Sequence, residues 1–146
     1  MTGFAFQPWL IWALLSALFA ALTAIFAKVG VEGINSDLAT LLRTIIIVAV
    51  LSSILFFTGK FEPVSKIAPR TWVFLTLSGL ATGASWLCYF RALKVGEAAR
   101  VAPIDKLSVV MVAIFAAIFL GEKLSPINWT GVVLIGAGAL LVAYQG

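Results

Sequence analysis

The 146-residue sequence has no histidine and only one cysteine, Cys88. These absences remove the usual zinc ligands, and a single cysteine cannot form a disulfide within the chain. The sequence also lacks a glycine-rich phosphate loop and any spacing typical of a nucleophile with its base. We therefore expect no metal, no cofactor and no enzymatic activity.

Charged residues are scarce as well. They make up 11% of the chain, whereas 62% of the residues are hydrophobic, and a soluble domain has about 25% charged residues. The net charge of +4 comes from ten scattered lysines and arginines, with no cluster typical of a nucleic-acid-binding surface. The composition predicts a single integral membrane domain over residues 1–146, whose partner is the lipid bilayer and not a nucleic acid.

Five hydrophobic segments are long enough to cross a hydrocarbon core of about 30 Å. The sequence therefore predicts an all-α membrane protein with five transmembrane helices, over about residues 8–27, 38–58, 71–92, 101–120 and 126–144. No basic residue precedes the first segment, which is too long for the core of a signal peptide. We interpret it as a retained span.

Short polar stretches between these segments carry residues typical of helix ends. Ser36 or Asp37 is expected to cap the second helix, and Gly59 is expected to end it. Ser125 and Pro126 have the types expected for the cap and the first residue of the fifth helix.

Hydroxyl side chains follow one face of the third predicted helix. They recur at i, i+4, i+7 and i+11, and they are Ser78, Thr82, Ser85 and Tyr89. Tyr89 and its neighbour Trp86 are too large for close helix packing and are typical of a lined cavity. The sequence thus predicts a substrate pathway along this face. The alternative is that the small polar residues only pack helices together.

Two helices carry glycines at spacings that allow close helix contact. Gly79 and Gly83 form a GxxxG pair on the third helix, and Gly131 and Gly138 lie seven residues apart on the fifth. Such small residues let another backbone approach closely. We predict that both helices use these faces for packing.

The fourth helix contains an acid and an adjacent base. Residues 107–120 carry no charge, but at about 1.5 Å per residue they are too short to span the membrane. The helix must begin near Val101 or earlier, which places Asp105 and Lys106 below the headgroups, where ionisable side chains are usually functional. Adjacent helical residues point about 100° apart, so these two are not expected to neutralise each other well.

Arg43 is the natural partner for the acid. The second and fourth helices run in the same direction, and Arg43 and Asp105 lie at similar distances from the predicted helix starts. We predict a buried Arg43–Asp105 ion pair, which would leave Lys106 facing a cavity or another subunit, and we assign all three to the pathway. The alternative is that Pro103 is the first helical residue and Asp105 lies in the first turn at the interface, where acids are favourable.

Basic residues of the connections are divided evenly between the two sides of the membrane, and Arg43 and Lys106, which lie deeper, change the count only to four against six. The N-terminal side carries Lys60, Lys66, Arg70 and Lys123, and the connections on the other side carry Lys28, Arg91, Lys94 and Arg100. Because an excess of lysine and arginine on one side sets orientation, this balance predicts that both orientations are inserted.

Six features lie in order along the chain: FAKVG, DLATLLRT, YFRAL, VAPIDKLSVV, GEKL and the glycine-rich fifth helix. Together they resemble the EamA-like branch of the drug/metabolite transporter superfamily in its single-repeat, five-helix form. The resemblance implies secondary transport of small metabolites across the inner membrane of a bacterium or an archaeon. Larger relatives have ten helices in two repeats of opposite orientation.

A single repeat must find its second half in another chain. We expect an antiparallel homodimer of ten helices with the pathway between the protomers, or a pair with a related five-helix protein. Three functions remain open. The first is transport of a small polar or anionic metabolite, with Arg43 and Lys106, joined by Lys28 and Arg91, making the pathway positive. The second is proton-coupled export of cationic drugs through Asp105. The third is a non-transport role as a scaffold or accessory subunit.

Overall fold

The computed structural model describes residues 8–144, and this part of the chain is built from helices joined by short connections. A 3₁₀ turn lies at Val64–Lys66, and a π-helical turn lies at Ala116–Leu120. The six α-helices are α1 (Pro8–Val31), α2 (Ser36–Thr58), α3 (Pro69–Val95), α4 (Ala98–Asp105), α5 (Ser108–Phe115) and α6 (Pro126–Ala143).

These helices form five spans, as predicted. Four of the spans are the single helices α1, α2, α3 and α6, whereas α4, α5 and the π-helical turn together form the fourth, Ala98–Leu120. Each span is long and apolar enough to cross a membrane. Residues 1–7 and 145–146, at the ends of the predicted domain 1–146, lie outside the described residues.

Two helices extend further than the sequence pattern predicts. α1 continues to Val31 and α3 continues to Val95, so Lys28, Arg91 and Lys94 are helical and do not lie in connections. Cations in the last turn interact favourably with the carbonyl end of a helix, and their long side chains can reach the membrane surface. The apolar helices therefore do not need to stop before these bases.

Local capping chemistry sets the helix ends. Gly59 ends α2 in the left-handed region (φ 64°), and the Ser125 hydroxyl caps α6 by accepting from the Asn128 amide at 3.3 Å, both as predicted. The predicted cap of α2 was wrong. Asn35 is the cap, because its side-chain oxygen accepts from the amides of Asp37 and Leu38 at 2.8 and 3.2 Å.

The described chain divides into two compact units. In residues 30–95, α2 packs along α3, and Val31 and Leu93 are completely buried. In the other unit, residues 8–29 and 96–144, α4 and α5 pack against α6.

Most large apolar side chains remain exposed on the chain by itself. Trp12, Phe57 and Val95 are 74%, 84% and 89% exposed. A water-soluble protein rarely exposes contiguous apolar surface on this scale. The exposure fits a chain whose helices are covered by lipid or by another protein.

Candidate functional site

A cation held against aromatic rings is the central feature of the unit formed by residues 30–95. The guanidinium carbon of half-buried Arg43 on α2 lies over the Trp86 ring of α3, 4.3 Å from its centroid, and 5.5 Å from the centroid of Phe90. Trp86 and Phe90 are four residues apart and therefore share a face of α3. An arginine in this position is attracted by the electron-rich faces of the rings.

Arg43 has no carboxylate partner in its own unit. The acids there are Glu32, Asp37 and Glu62, and the ion pair within residues 30–95 joins Asp37 to Arg91. Arg43 is half-buried, so part of its side chain stays accessible from outside the unit.

The predicted polar face lies on one continuous helix, since α3 runs unbroken from Pro69 to Val95. Ser78, Thr82 and Ser85 are exposed, and Tyr89 is half-buried and interacts electrostatically with Arg43. The hydroxyl face thus leads along α3 towards the arginine. Its role as a substrate pathway stays a prediction.

The glycines of α3 lie on open surface. A Cβ added at Gly79 or Gly83 would meet no atom within 4 Å, and the same holds for Gly131 and Gly138 on α6. Gly136 is the glycine of α6 in close contact, because an added Cβ would lie 3.2 Å from Cγ2 of Val110 on α5. This contact depends on the register between α5 and α6, which the glycine spacing alone does not specify.

A second charged feature joins the first turn of α2 to the last turns of α3. The Arg91 Nε and Nη2 atoms donate to the two carboxylate oxygens of Asp37 at 2.8 and 2.7 Å. The Lys94 ammonium group donates to the carbonyl of Ile34. Sequence analysis missed this clamp, although consecutive antiparallel spans place the start of α2 and the end of α3 on one side of the membrane.

Asp105 and Lys106 lie at a break in the fourth span. Pro103 is inside α4, where it has no N–H for the helical hydrogen-bond ladder. The backbone then tightens. The Lys106 amide is shared between the carbonyls of Ala102 and Pro103, at 3.2 and 3.1 Å, and the Leu107 amide donates three residues back, to Ile104, at 3.0 Å. Such an interruption distinguishes this span from the other four, which are single helices.

The fourth span begins at Ala98, in agreement with the predicted start near Val101 or earlier, and Asp105 lies in the last turn of α4. The alternative that Pro103 is the first helical residue is therefore excluded. The expectation that Asp105 and Lys106 would not pair was wrong, because the Lys106 ammonium lies 3.1 Å from the Asp105 carboxylate. The 100° divergence that argued against pairing applies to a regular helix, and the chain leaves regular geometry at this point.

The predicted Arg43–Asp105 pair involves two different units, and it stays a prediction. Each residue lies seven positions after the start of its helix, Ser36 for Arg43 and Ala98 for Asp105. At about 1.5 Å per residue, each is therefore about 10 Å along its own helix.

The arrangement offers a half-buried cation, a hydroxyl face and an interrupted span, and it offers no group of three or more potential metal ligands within residues 8–144. Comparison with known proteins gives these features a context. The model of the EamA-like transporter family matches residues 7–144. The chain belongs to this family.

Two relatives of this EamA-like chain are informative. It is 67% identical over 137 residues to "Uncharacterized transporter in cobO 3'region" from Sinorhizobium sp, covering 94% of this chain and 97% of that protein. It is 28% identical over 133 residues to "Uncharacterized transporter YxxF" from Bacillus subtilis (strain 168), covering 90% of this chain and 41% of that protein. No solved structure gives a significant match. The EamA-like chain is an integral membrane transporter.

Proposed function

We propose that the chain is a secondary transporter that moves a small polar or anionic metabolite across the inner membrane of a bacterium or an archaeon by alternating access. The observation that carries this proposal is Arg43, a cation held on Trp86 inside an apolar span without a counter-ion in its unit. Ionisable residues in membrane spans are costly, and they commonly mark substrate or ion pathways. Binding of a transported anion would give the Arg43 cation a role within the span.

The remaining pathway residues support this role in different ways. The hydroxyls of Ser78, Thr82 and Ser85 offer neutral hydrogen-bonding groups along α3. Asp105 and Lys106 lie at the broken fourth span, and transporters commonly bind substrates and ions where helices are discontinuous. The chemistry needed is binding and release, so we propose no enzymatic step.

The second half of the transporter is proposed to be an inverted copy of the same chain. The Bacillus subtilis relative supports this assembly, because the present chain aligns with only 41% of it. The balanced distribution of lysine and arginine permits both orientations. The open glycines on α3 and α6 provide surfaces that another helix can approach closely. A related five-helix protein in the opposite orientation would serve the same purpose.

Export of cationic drugs has less support. It requires an acid that is free to exchange a proton with the drug, and the carboxylate of Asp105 is held by Lys106 at 3.1 Å. A scaffold role would leave the uncompensated Arg43 without a purpose. Transport of an anionic or polar compound is therefore the better supported function.

Uptake into proteoliposomes in which the purified protein is reconstituted tests the proposal. A metabolite library containing carboxylates, phosphates, amines and neutral polar compounds is presented, and internal contents are measured by mass spectrometry. We expect saturable uptake of a small group of related compounds, which Arg43→Gln abolishes. The matched control is Arg70→Gln, because Arg70 also lies near an aromatic ring, 5.8 Å from Phe74, but is exposed at the start of α3.

Two results would contradict the proposal. One is the absence of saturable uptake of any library compound by folded protein, in both directions. The other is equal loss of uptake in the Arg43→Gln and Arg70→Gln variants, since that would show no special role for the half-buried arginine.

A further inference from the structure

The ion pairs in the structure reduce the number of cations that can attract a substrate. Of the bases expected to make the pathway positive, Lys106 is paired with Asp105 and Arg91 is paired with Asp37. The ammonium group of Lys28 donates to the carbonyl of Gly96 at 3.0 Å. Lys28 keeps its charge, because a carbonyl is neutral, but it belongs to the other unit. Arg43 is the pathway arginine without a carboxylate in its own unit, so a ligand bound beside Trp86 meets a single positive charge.

We infer that the transported compound carries one carboxylate, which binds the guanidinium of Arg43, and an apolar body, which lies against Trp86. This inference rests on the proposed transport function and specifies its substrate class. The ligand is a small organic monocarboxylate, in preference to a phosphate dianion, a neutral sugar or an amine.

The carboxylate follows from the geometry of Arg43. The guanidinium carbon of Arg43 lies 4.3 Å from the centroid of the Trp86 ring. A guanidinium carries five N–H donors in a planar fork, so contact with this ring leaves donors for a ligand. Two parallel N–H donors match the two oxygens of a carboxylate. The carboxylate of Asp37, in the same unit, is already engaged by Arg91 and does not compete for these donors.

The preference for a ligand with a single negative charge follows from the single positive charge of Arg43. One cation and one carboxylate form a neutral pair, whereas a phosphate dianion would bring one uncompensated charge into an apolar span. A buried charge without a partner is strongly unfavourable. Hence a monoanion is favoured over a dianion at this position.

The apolar body follows from the different burial of the two aromatic rings. Phe90 is 3% exposed, so it supports Arg43 from within the protein and cannot meet a ligand. Trp86 is half-buried and keeps part of its ring accessible beside the guanidinium. A compound bound to Arg43 therefore meets an indole surface, which favours a hydrocarbon body over a heavily hydroxylated one.

Binding to the full-length protein in detergent tests this inference by 19F NMR. The protein is labelled with 5-fluorotryptophan, and the Trp86 resonance is assigned with Trp86→Phe. The probes are cyclohexanecarboxylate, the neutral cyclohexanecarboxamide of the same shape, and inorganic phosphate at a pH where it is a dianion. All titrations use the same ionic strength, and none of the probes needs to be the natural substrate.

We expect the carboxylate to shift the Trp86 resonance saturably and to bind about tenfold more tightly than the amide or phosphate, as suits a charge-assisted bidentate contact. Arg43→Gln should weaken carboxylate binding about tenfold or more. Arg43→Lys should weaken carboxylate binding less than Arg43→Gln does. Lysine keeps the positive charge, although it loses the two parallel N–H donors of the guanidinium. Arg70→Gln should leave carboxylate binding unchanged.

Equal affinity for carboxylate and amide would overturn the inference, as would tighter binding of phosphate. Unchanged binding in Arg43→Gln would show that the arginine is only a packing partner of Trp86. If that variant does not fold, the carboxylate–amide comparison on the unmodified protein decides. Saturable uptake of a neutral compound that does not depend on Arg43 would overturn the inference of a monocarboxylate substrate, but it would still support the proposed transport function. A carboxylate that binds at Trp86 in a protein without any uptake would refute transport and leave the binding site intact.

Discussion

The contact between α5 and α6 can be tested with a pair of glycines on one helix. We predict that Gly136→Leu destabilises the protein relative to Gly138→Leu. An added Cβ at Gly136 lies 3.2 Å from Cγ2 of Val110, closer than the roughly 3.5–4.0 Å at which carbon atoms attract each other best. Leucine brings three further carbons beyond this Cβ. At Gly138 the same Cβ meets no atom within 4 Å.

The size of the effect follows from overpacking. Forcing extra carbons into a packed contact costs about 1–3 kcal/mol. Both substitutions replace a helical glycine by leucine, and the resulting gain in helix propensity, about 0.8–1 kcal/mol, cancels in the comparison. We therefore expect Gly136→Leu to unfold with a free energy about 1–3 kcal/mol lower than that of Gly138→Leu.

Reversible unfolding in mixed micelles, followed by circular dichroism over increasing SDS mole fraction, measures this difference. The measurement is made at several protein concentrations, because association with a second copy raises apparent stability. Equal stability of the two variants at every concentration would show that α5 and α6 do not pack at Gly136. Lower stability of Gly138→Leu only at high concentration would place the open glycine in a contact between copies.

Three further perturbations address the charges. Asp37→Arg and Arg91→Asp should each lower the detergent melting temperature, and the double exchange should recover most of the loss; failure to recover would mean that the pair contributes no stability. Asp105→Asn should cost less than about 1 kcal/mol in the SDS titration, because its partner is an accessible neighbouring lysine. A loss of about 3–5 kcal/mol, relieved by Arg43→Gln, would instead establish the buried pair predicted from sequence. Reporters fused at Gly146 should label both faces of the membrane. Three lysines added to one side of the protein should leave a single orientation. A single orientation in the unmodified chain would favour a related partner over a homodimer.

The parts of the fold that depend on local chemistry were predictable from the sequence. Five apolar segments of adequate length predict five spans, since no other arrangement hides their backbone in lipid. Gly59 ends α2 because a left-handed residue is needed there, and Ser125 caps α6 because its hydroxyl reaches an amide three residues on. These features need no knowledge of which helices touch.

The features that sequence analysis missed depend on geometry between helices or on departures from ideal geometry. Arg43 was given an acid as its partner, whereas in its own unit it meets two rings of α3. The choice between acid and ring depends on the register of α2 against α3, which periodicity does not specify. Likewise, Asp105 and Lys106 pair because the span is interrupted after Pro103, and the sequence pattern assumed a regular helix.

A pair of tandem fusions tests directly whether two copies of the chain work as an antiparallel pair. Two copies joined by a short linker must insert with opposite orientations, because each has an odd number of spans. Two copies joined through one additional transmembrane helix must insert in parallel. Uptake into proteoliposomes of a substrate of the unmodified protein is then compared between the two fusions, at equal amounts of folded protein. We expect uptake by the antiparallel fusion and none by the parallel one; an inactive antiparallel fusion beside an active parallel one would contradict the antiparallel assembly.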